Sequence, residues 1–196
     1  MRREIPNLIL YWSDEDIETA TSDSEIIGGV KSRGRVTRTE QMMIAVGEPA
    51  PDVSLPADDG RLVSLKDLRG KKVVLYFYPK DDTPGCTTQA CGIRDAYGEF
   101  ERAGAVVLGI SPDDERSHTK FKDKYGLPFT LLADPDHAVA EAYGVWAEKS
   151  RYGRTYMGIV RSTFVIAPDG TIQKVMRNVK PATHADDVLA ELAAAA

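Results

Sequence analysis

Cysteine is scarce in this chain. Among 196 residues there are two, Cys86 and Cys91, and they stand five positions apart. So few cysteines exclude a disulfide-built scaffold. Histidine is nearly as rare, at three residues, His118, His137 and His184, and none sits in a tight metal-ligand pattern, so a zinc site has few donors to draw on. No apolar run approaches the roughly 18 residues of a membrane span. An excess of basic residues is also missing: 25 Lys and Arg against 30 Asp and Glu give a net charge of −5, which argues against nucleic acid or a membrane surface as partner. The apolar stretch Ile5–Trp12 is short and runs straight into Asp14-Glu15-Asp16, a poor signal peptide. The expected location is therefore the cytoplasm, where a close cysteine pair is more often catalytic, redox-sensing or metal-binding than structural. There is no Gly-x-Ser-x-Gly elbow, no phosphate-binding glycine loop, no dinucleotide fingerprint and no Cys-x-x-Cys.

What is present divides into two parts. Residues 1–42 pass from an acidic block (Asp14 to Glu25) through Gly28-Gly29 to a basic block (Lys31, Arg33, Arg35, Arg38), with no lasting periodicity. They are expected to form a mobile extension. Met42 and Met43 directly precede the organised sequence that begins at Val46, and a natural start at one of them would show in an intact-mass measurement. Residues 43–196 are expected to form one domain, and an apolar share of 42% over the full chain is enough for a core. Arg61–Leu65 reads as a short strand after an Asp59-Gly60 turn, and Val73–Tyr78 as a buried strand. A helix is expected from Pro84 to about Arg102, with Ala90, Ile93, Tyr97 and Phe100 on one face and Gly104 as its stop. Ala105–Ile110 is a second buried strand, Asp113–Tyr125 a charged helix ended by Gly126, Phe129–Leu132 a third strand and Asp136–Tyr143 a short helix. Thr163–Ile166 and Thr171–Val175 flank Asp169-Gly170 as a hairpin. A last helix runs from about Thr183, its N-cap, to Leu192. This alternation gives an α/β domain, a mixed central sheet covered by helices with the closing hairpin as an antiparallel edge, compatible with a thioredoxin-like arrangement.

The chemistry concentrates at the start of the first helix. Thr83 fits the N-cap, Pro84 the first helical position, and Cys86 the third. A thiol there meets unpaired backbone N–H groups at the positive end of the helix dipole, which favours a nucleophilic thiolate. The bland alternative is a buried, inert thiol. Thr83 could cap the helix or turn its hydroxyl toward the sulfur. Pro79 and Pro84 stiffen the loop. On a continuous helix Cys86 and Cys91 are separated by roughly 7.5 Å of rise and point about 140° apart. A disulfide needs Cα atoms within about 7 Å and facing Cβ vectors. Either Cys91 is a packing residue, or the helix start unwinds to bring the sulfurs together; Gly92 and Gly98 lower the cost by roughly 1 kcal/mol each. A half-zinc site is a further alternative, and so is a thiol–disulfide switch. The histidines read as surface or helix-face residues and Asp81-Asp82 as solvated loop charge. Arg161, opening the strand that follows it, could reach the Cys86 turn and stabilise a thiolate, or be an ordinary surface arginine.

Pro79-Lys80-Asp81-Asp82-Thr83-Pro84-Gly85-Cys86 resembles the Pro-x-x-x-Thr-x-x-Cys signature of the peroxiredoxins. Thr87-Thr88-Gln89-Ala90-Cys91 is similar to their bacterioferritin comigratory protein, or Q-type, branch. The resemblance runs on through Gly126–Phe129, Tyr143–Trp146, Tyr152-Gly153 and Gly158–Ile166, and covers roughly Val46 to Leu192. It implies a thioredoxin-fold thiol peroxidase of antioxidant defence. Cys86 would be the peroxidatic cysteine, Cys91 the resolving cysteine, and Pro79, Thr83 and Arg161 the rest of the pocket. It further implies hydroperoxide substrates, thioredoxin or a similar dithiol as reductant, a monomer, and neither a metal nor an organic cofactor.

Overall fold

Strand β3 (Lys72–Phe77) is the spine of the domain in a computed structural model that describes residues 44–151 and 153–194. Its side chains alternate between two faces, and both are covered. Val73, Leu75 and Phe77 enter one apolar cluster, while Val74, Tyr76 and the following Tyr78 enter another. A strand buried on both faces needs an unbroken apolar run, which residues 73–78 supply. β4 (Ala105–Ser111) pairs with β3 in parallel, and β5 (Thr130–Ala133) pairs in parallel with β4. On the other side of β3 lies β8 (Ser162–Ile166), antiparallel, and β9 (Ile172–Arg177) closes that edge, giving the order β5-β4-β3-β8-β9. The expected Asp169-Gly170 turn forms, with Gly170 in the left-handed region at φ 82°. The hairpin is not simply an edge, however. β8 is buried at every position and takes a place inside the sheet, while only β9, with its half-buried Gln173, Lys174 and Arg177, stands at the rim.

Helices α1 (Pro84–Asp95), α2 (Tyr97–Arg102), α3 (Glu115–Tyr125) and α5 (His184–Ala194) contribute buried residues to the Tyr76 face. The opposite face is covered by the hairpin of β1 (Ser54–Pro56) and β2 (Leu62–Ser64), a 3₁₀ turn over Leu65–Leu68, and α4 (Ala138–Ala142). A further hairpin, β6 (Trp146–Arg151) with β7 (Arg154–Ile159), precedes β8. Its charged, weakly alternating sequence gave no strand signal. The helix expected from Pro84 to Arg102 is broken at Ala96, whose φ −98°, ψ 8° lie outside the helical basin. Gly104, at φ 67°, terminates the second piece as expected. The expected cap of the last helix differs in detail: the Thr183 hydroxyl donates to Asp187 Oδ2 at 2.8 Å rather than accepting a backbone N–H. The extension expected over residues 1–42 lies outside the described residues, as do Met43 and Tyr152.

This topology determines where chemistry can gather. β8 runs antiparallel to β3, with Ser162 opposite Phe77. The residue that precedes β8, Arg161, is therefore brought to the C-terminal end of β3, where the chain turns into α1. Strand-end clefts of this kind are where open α/β sheets bind ligands.

Candidate active site

The chain leaves β3 through Pro79, half-buried, and crosses a short loop into α1. Thr83 occupies the N-cap in extended conformation, Pro84 opens the helix, and Cys86 follows at its third position, as expected. Thr83 caps with its backbone only: its carbonyl accepts from the Thr87 N–H at 2.8 Å. Its hydroxyl neither caps the helix nor turns to the sulfur, but donates to the Lys80 carbonyl at 3.0 Å, which tightens the loop. Cys86 is a free thiol and almost wholly buried, at 2% exposure. The sulfur thus sits among the first N–H groups of a helix, shielded from water, a setting in which an approaching negative charge is favoured.

Arg161 faces that sulfur. Its Nη2 donates to Cys86 Sγ at 3.2 Å, so the proximity that the sequence left open is present. Its Nη1 donates to the side-chain oxygen of Gln89, one turn further along α1. Gln89 is fully buried, and its Nε2 lies 3.0 Å from Nδ1 of His184 at the start of α5. Nε2 of His184 lies 2.7 Å from the Thr163 hydroxyl on β8. His184 and Thr163 are also fully buried, so of the surface and helix-face placements expected for the histidines, His184 takes a helix face turned inward. Burial, and then the Arg161 charge, pull the His184 pKa down to about 4. A second cation lies near. Lys149 on β6 donates to the Ile159 carbonyl at 2.6 Å, and burial, followed by the Arg161 charge, draws its pKa below the lysine range. Gln89 and Thr163 stand in stretches that carry the resemblance but were given no role there, and neither His184 nor Lys149 carried a local sequence signal.

The loop itself is held from below. Asp81 was expected in solvent, yet it is buried and accepts hydrogen bonds from the Tyr78 hydroxyl at 2.7 Å and the Ser117 hydroxyl at 2.8 Å. His118, expected at a surface or on a helix face, is fully buried on the inner face of α3; its Nδ1 lies 2.8 Å from Asp81 Oδ2 and its Nε2 3.1 Å from the Leu132 carbonyl. The Asp81 N–H donates to Asp113 at 2.7 Å. Asp82 does reach solvent, and there it pairs with Lys124 at 2.6 Å and accepts from the Tyr125 hydroxyl at 2.5 Å. One residue of the acidic pair therefore anchors the loop to β3 and α3, and the other ties it to the end of α3. Tyr76 and Tyr78 remain phenols, since burial pushes both well above the usual tyrosine range.

Cys91 lies further along the same continuous helix, half-buried and free. The rise between positions five apart, about 7.5 Å, keeps the two sulfurs apart while α1 is intact. Among the described residues no group of three or more His, Cys, Asp or Glu side chains is arranged to hold a metal ion.

The chain has relatives of known family. The model of the AhpC/TSA family matches residues 46–175. A putative peroxiredoxin Bcp of Coxiella burnetii is 54% identical over 151 residues, which span 77% of this chain and 100% of that protein. Peroxiredoxin Bcp of Bacillus subtilis is 50% identical over 151 residues, 77% of this chain and 96% of its own. Among solved structures, a cysteine-to-serine variant of Xanthomonas campestris peroxiredoxin Q superposes with a TM-score of 0.73 at 42% identity, covering 77% of this chain and 99% of that one. A structure of the bacterioferritin comigratory protein of the same organism, described for its alkyl peroxide reduction activity, gives a TM-score of 0.72 at 41% identity over 77% of this chain and 99% of that one. With a thioredoxin-like sheet and a matching family model, this chain belongs to the AhpC/TSA family and, within it, to the Bcp, or Q-type, peroxiredoxins.

Proposed function

We propose that this chain is a thiol peroxidase that reduces hydrogen peroxide and organic hydroperoxides through Cys86 and is recycled by thioredoxin or a similar dithiol. The observation that carries the reading is the Arg161 guanidinium 3.2 Å from a buried sulfur on the first turn of α1. The alkyl peroxide reduction described for the Xanthomonas campestris relative supports the substrate class.

The Cys86 thiolate attacks one oxygen of the hydroperoxide. The O–O bond breaks, the other oxygen leaves and takes up a proton as water or an alcohol, and Cys86 becomes a sulfenic acid. Arg161 and the α1 N–H groups stabilise the negative charge that grows on the departing oxygen, an interaction strongest in the transition state. Thr83 and Pro79 shape the wall of the pocket. The start of α1 then unwinds. The Cys91 sulfur attacks Cys86, hydroxide departs and is protonated to water, and a Cys86–Cys91 disulfide forms. An external dithiol reduces it, is itself oxidised to a disulfide, and α1 reforms. The proposed cycle needs only Cys86, Arg161 and Cys91 of one chain, so a monomer suffices as the working unit, and reliance on an external dithiol fits the reducing cytoplasm as its location.

A coupled assay with hydrogen peroxide, thioredoxin, thioredoxin reductase and NADPH tests the reading. The native protein should consume NADPH, and Cys86→Ser should not. Turnover by Cys86→Ser above background would refute the role of Cys86. A native protein that oxidises with diamide but not with peroxide would be a thiol switch instead.

A further inference from the structure

Behind the sulfur, the half-buried Arg161 and three buried side chains form a hydrogen-bonded chain whose direction is fixed by chemistry. It starts at Arg161. A guanidinium has donors and no acceptor, so the Gln89 group facing it must be the carbonyl oxygen. The Gln89 amide nitrogen is thereby turned to His184 Nδ1 at 3.0 Å. That amide nitrogen can only donate, so Nδ1 must be bare. A neutral imidazole then carries its one proton on Nε2, which donates to the Thr163 hydroxyl at 2.7 Å. No link can be reversed without opposing two donors at Arg161. The groups facing His184 agree with a neutral ring. Arg161 repels a proton there and Tyr76 on β3 covers the ring at 5.8 Å; Asp187 on α5 attracts a proton, but burial and the Arg161 charge outweigh it.

We propose that His184 is a positioning residue for peroxide reduction: as a neutral hydrogen-bond acceptor it orients the Gln89 amide, which in turn fixes Arg161 against the Cys86 sulfur. This rests on the peroxidase reading above. His184 touches neither substrate nor sulfur; it acts from the first turn of α5 through one side chain of α1. Were Nδ1 to take a proton, it would become a donor. Gln89 would have to turn its oxygen to His184 and its nitrogen to Arg161, and the guanidinium would lose its anchor. The state of one buried ring thus decides whether the cation is held over the sulfur.

Two variants separate this role from simple packing. In His184→Asn the side-chain oxygen can occupy the place of Nδ1 and accept from Gln89. His184→Leu fills similar space without an acceptor. The second-order rate of the reduced protein with hydrogen peroxide should fall about tenfold or more in His184→Leu, the loss expected for a hydrogen bond that serves a charged group. His184→Asn should recover most of it. A folded His184→Leu protein reacting at the native rate overturns the proposal, as does equal loss in both variants. An independent arm needs no activity and no variant: ¹⁵N NMR of histidine-labelled, reduced native protein at pH 7 should show His184 with Nδ1 bare and Nε2 protonated. The other tautomer, or an imidazolium, overturns the proposal. A native protein inert to peroxide but with this tautomer would instead strike at the peroxidase reading and leave the hydrogen-bond chain standing.

Discussion

Replacing His184 by asparagine should flatten the acid side of the stability curve. The folded protein holds His184 from its ordinary value of 6.5 down to about 4, by burial first and the Arg161 charge second. The unfolded chain takes up the proton near the ordinary value, whereas the folded chain refuses it until about pH 4. Between those limits the unfolded state binds more protons, so stability rises with pH and is lost as the solution is acidified. At about 1.36 kcal/mol per pKa unit, the whole gap amounts to about 3 kcal/mol, and about 2 kcal/mol of it is already lost by pH 5. Asparagine does not titrate. Urea unfolding of the reduced proteins at pH 7 and pH 5 should therefore show the native chain losing about 2 kcal/mol more than His184→Asn. Asp59, Asp82 and Asp169, whose carboxyls are held below the usual range by their hydrogen bonds, are common to both proteins and cancel in the comparison. Equal losses in the two would refute the reasoning, because the buried ring would then not be the group that resists protonation.

Arg161→Lys should lower the second-order rate with peroxide by about 10²-fold, since an ammonium cannot serve Gln89 and the sulfur with the same fork; stopped-flow rates near native would remove the guanidinium from the pocket. Cys91→Ser should consume one equivalent of peroxide in forming the Cys86 sulfenic acid, fail to recycle with thioredoxin, and in excess peroxide take up a second equivalent to give the sulfinic acid, visible by mass spectrometry; efficient turnover would show another resolving thiol. Asp81→Ala strips Tyr78, Ser117 and His118 of their shared acceptor and should cost about 3–5 kcal/mol in urea unfolding, as for one partner removed from a buried pair; a loss under about 1 kcal/mol would place that network in water instead.

The parts legible in the sequence were those written in local order. Val73–Tyr78 announced a strand covered on both faces, and Thr83-Pro84 announced a helix start with Cys86 at its third residue. Arg161 was readable as a candidate, and only the antiparallel register of β8 against β3 brings it to the sulfur. What stayed hidden depended on partners far along the chain. Asp81 looked like loop charge because His118 and Ser117, which bury it, belong to α3. Thr83 looked like a side-chain cap because the competing Lys80 carbonyl is made available only by the loop's own curvature. Gln89 and His184 are polar residues in ordinary helical sequence, and nothing in either neighbourhood signals that they meet in a dry interior. The break falls at Ala96, a residue that favours helix, so local propensity at that position gives no sign of it.

Gln89 lies between the two cysteines, so in the proposed cycle α1 cannot open without taking Gln89 away from Arg161 and His184. Those hydrogen bonds then belong to the dithiol state alone. Any interaction confined to the dithiol state raises the reduction potential of the pair, by about 30 mV for each 1.4 kcal/mol. The network that presents the sulfur to peroxide thereby also makes the disulfide a readier electron acceptor. Reduction by a dithiol is drawn forward by the refolding of the helix, and the peroxide step, already irreversible through O–O cleavage, supplies the driving force that opens it again.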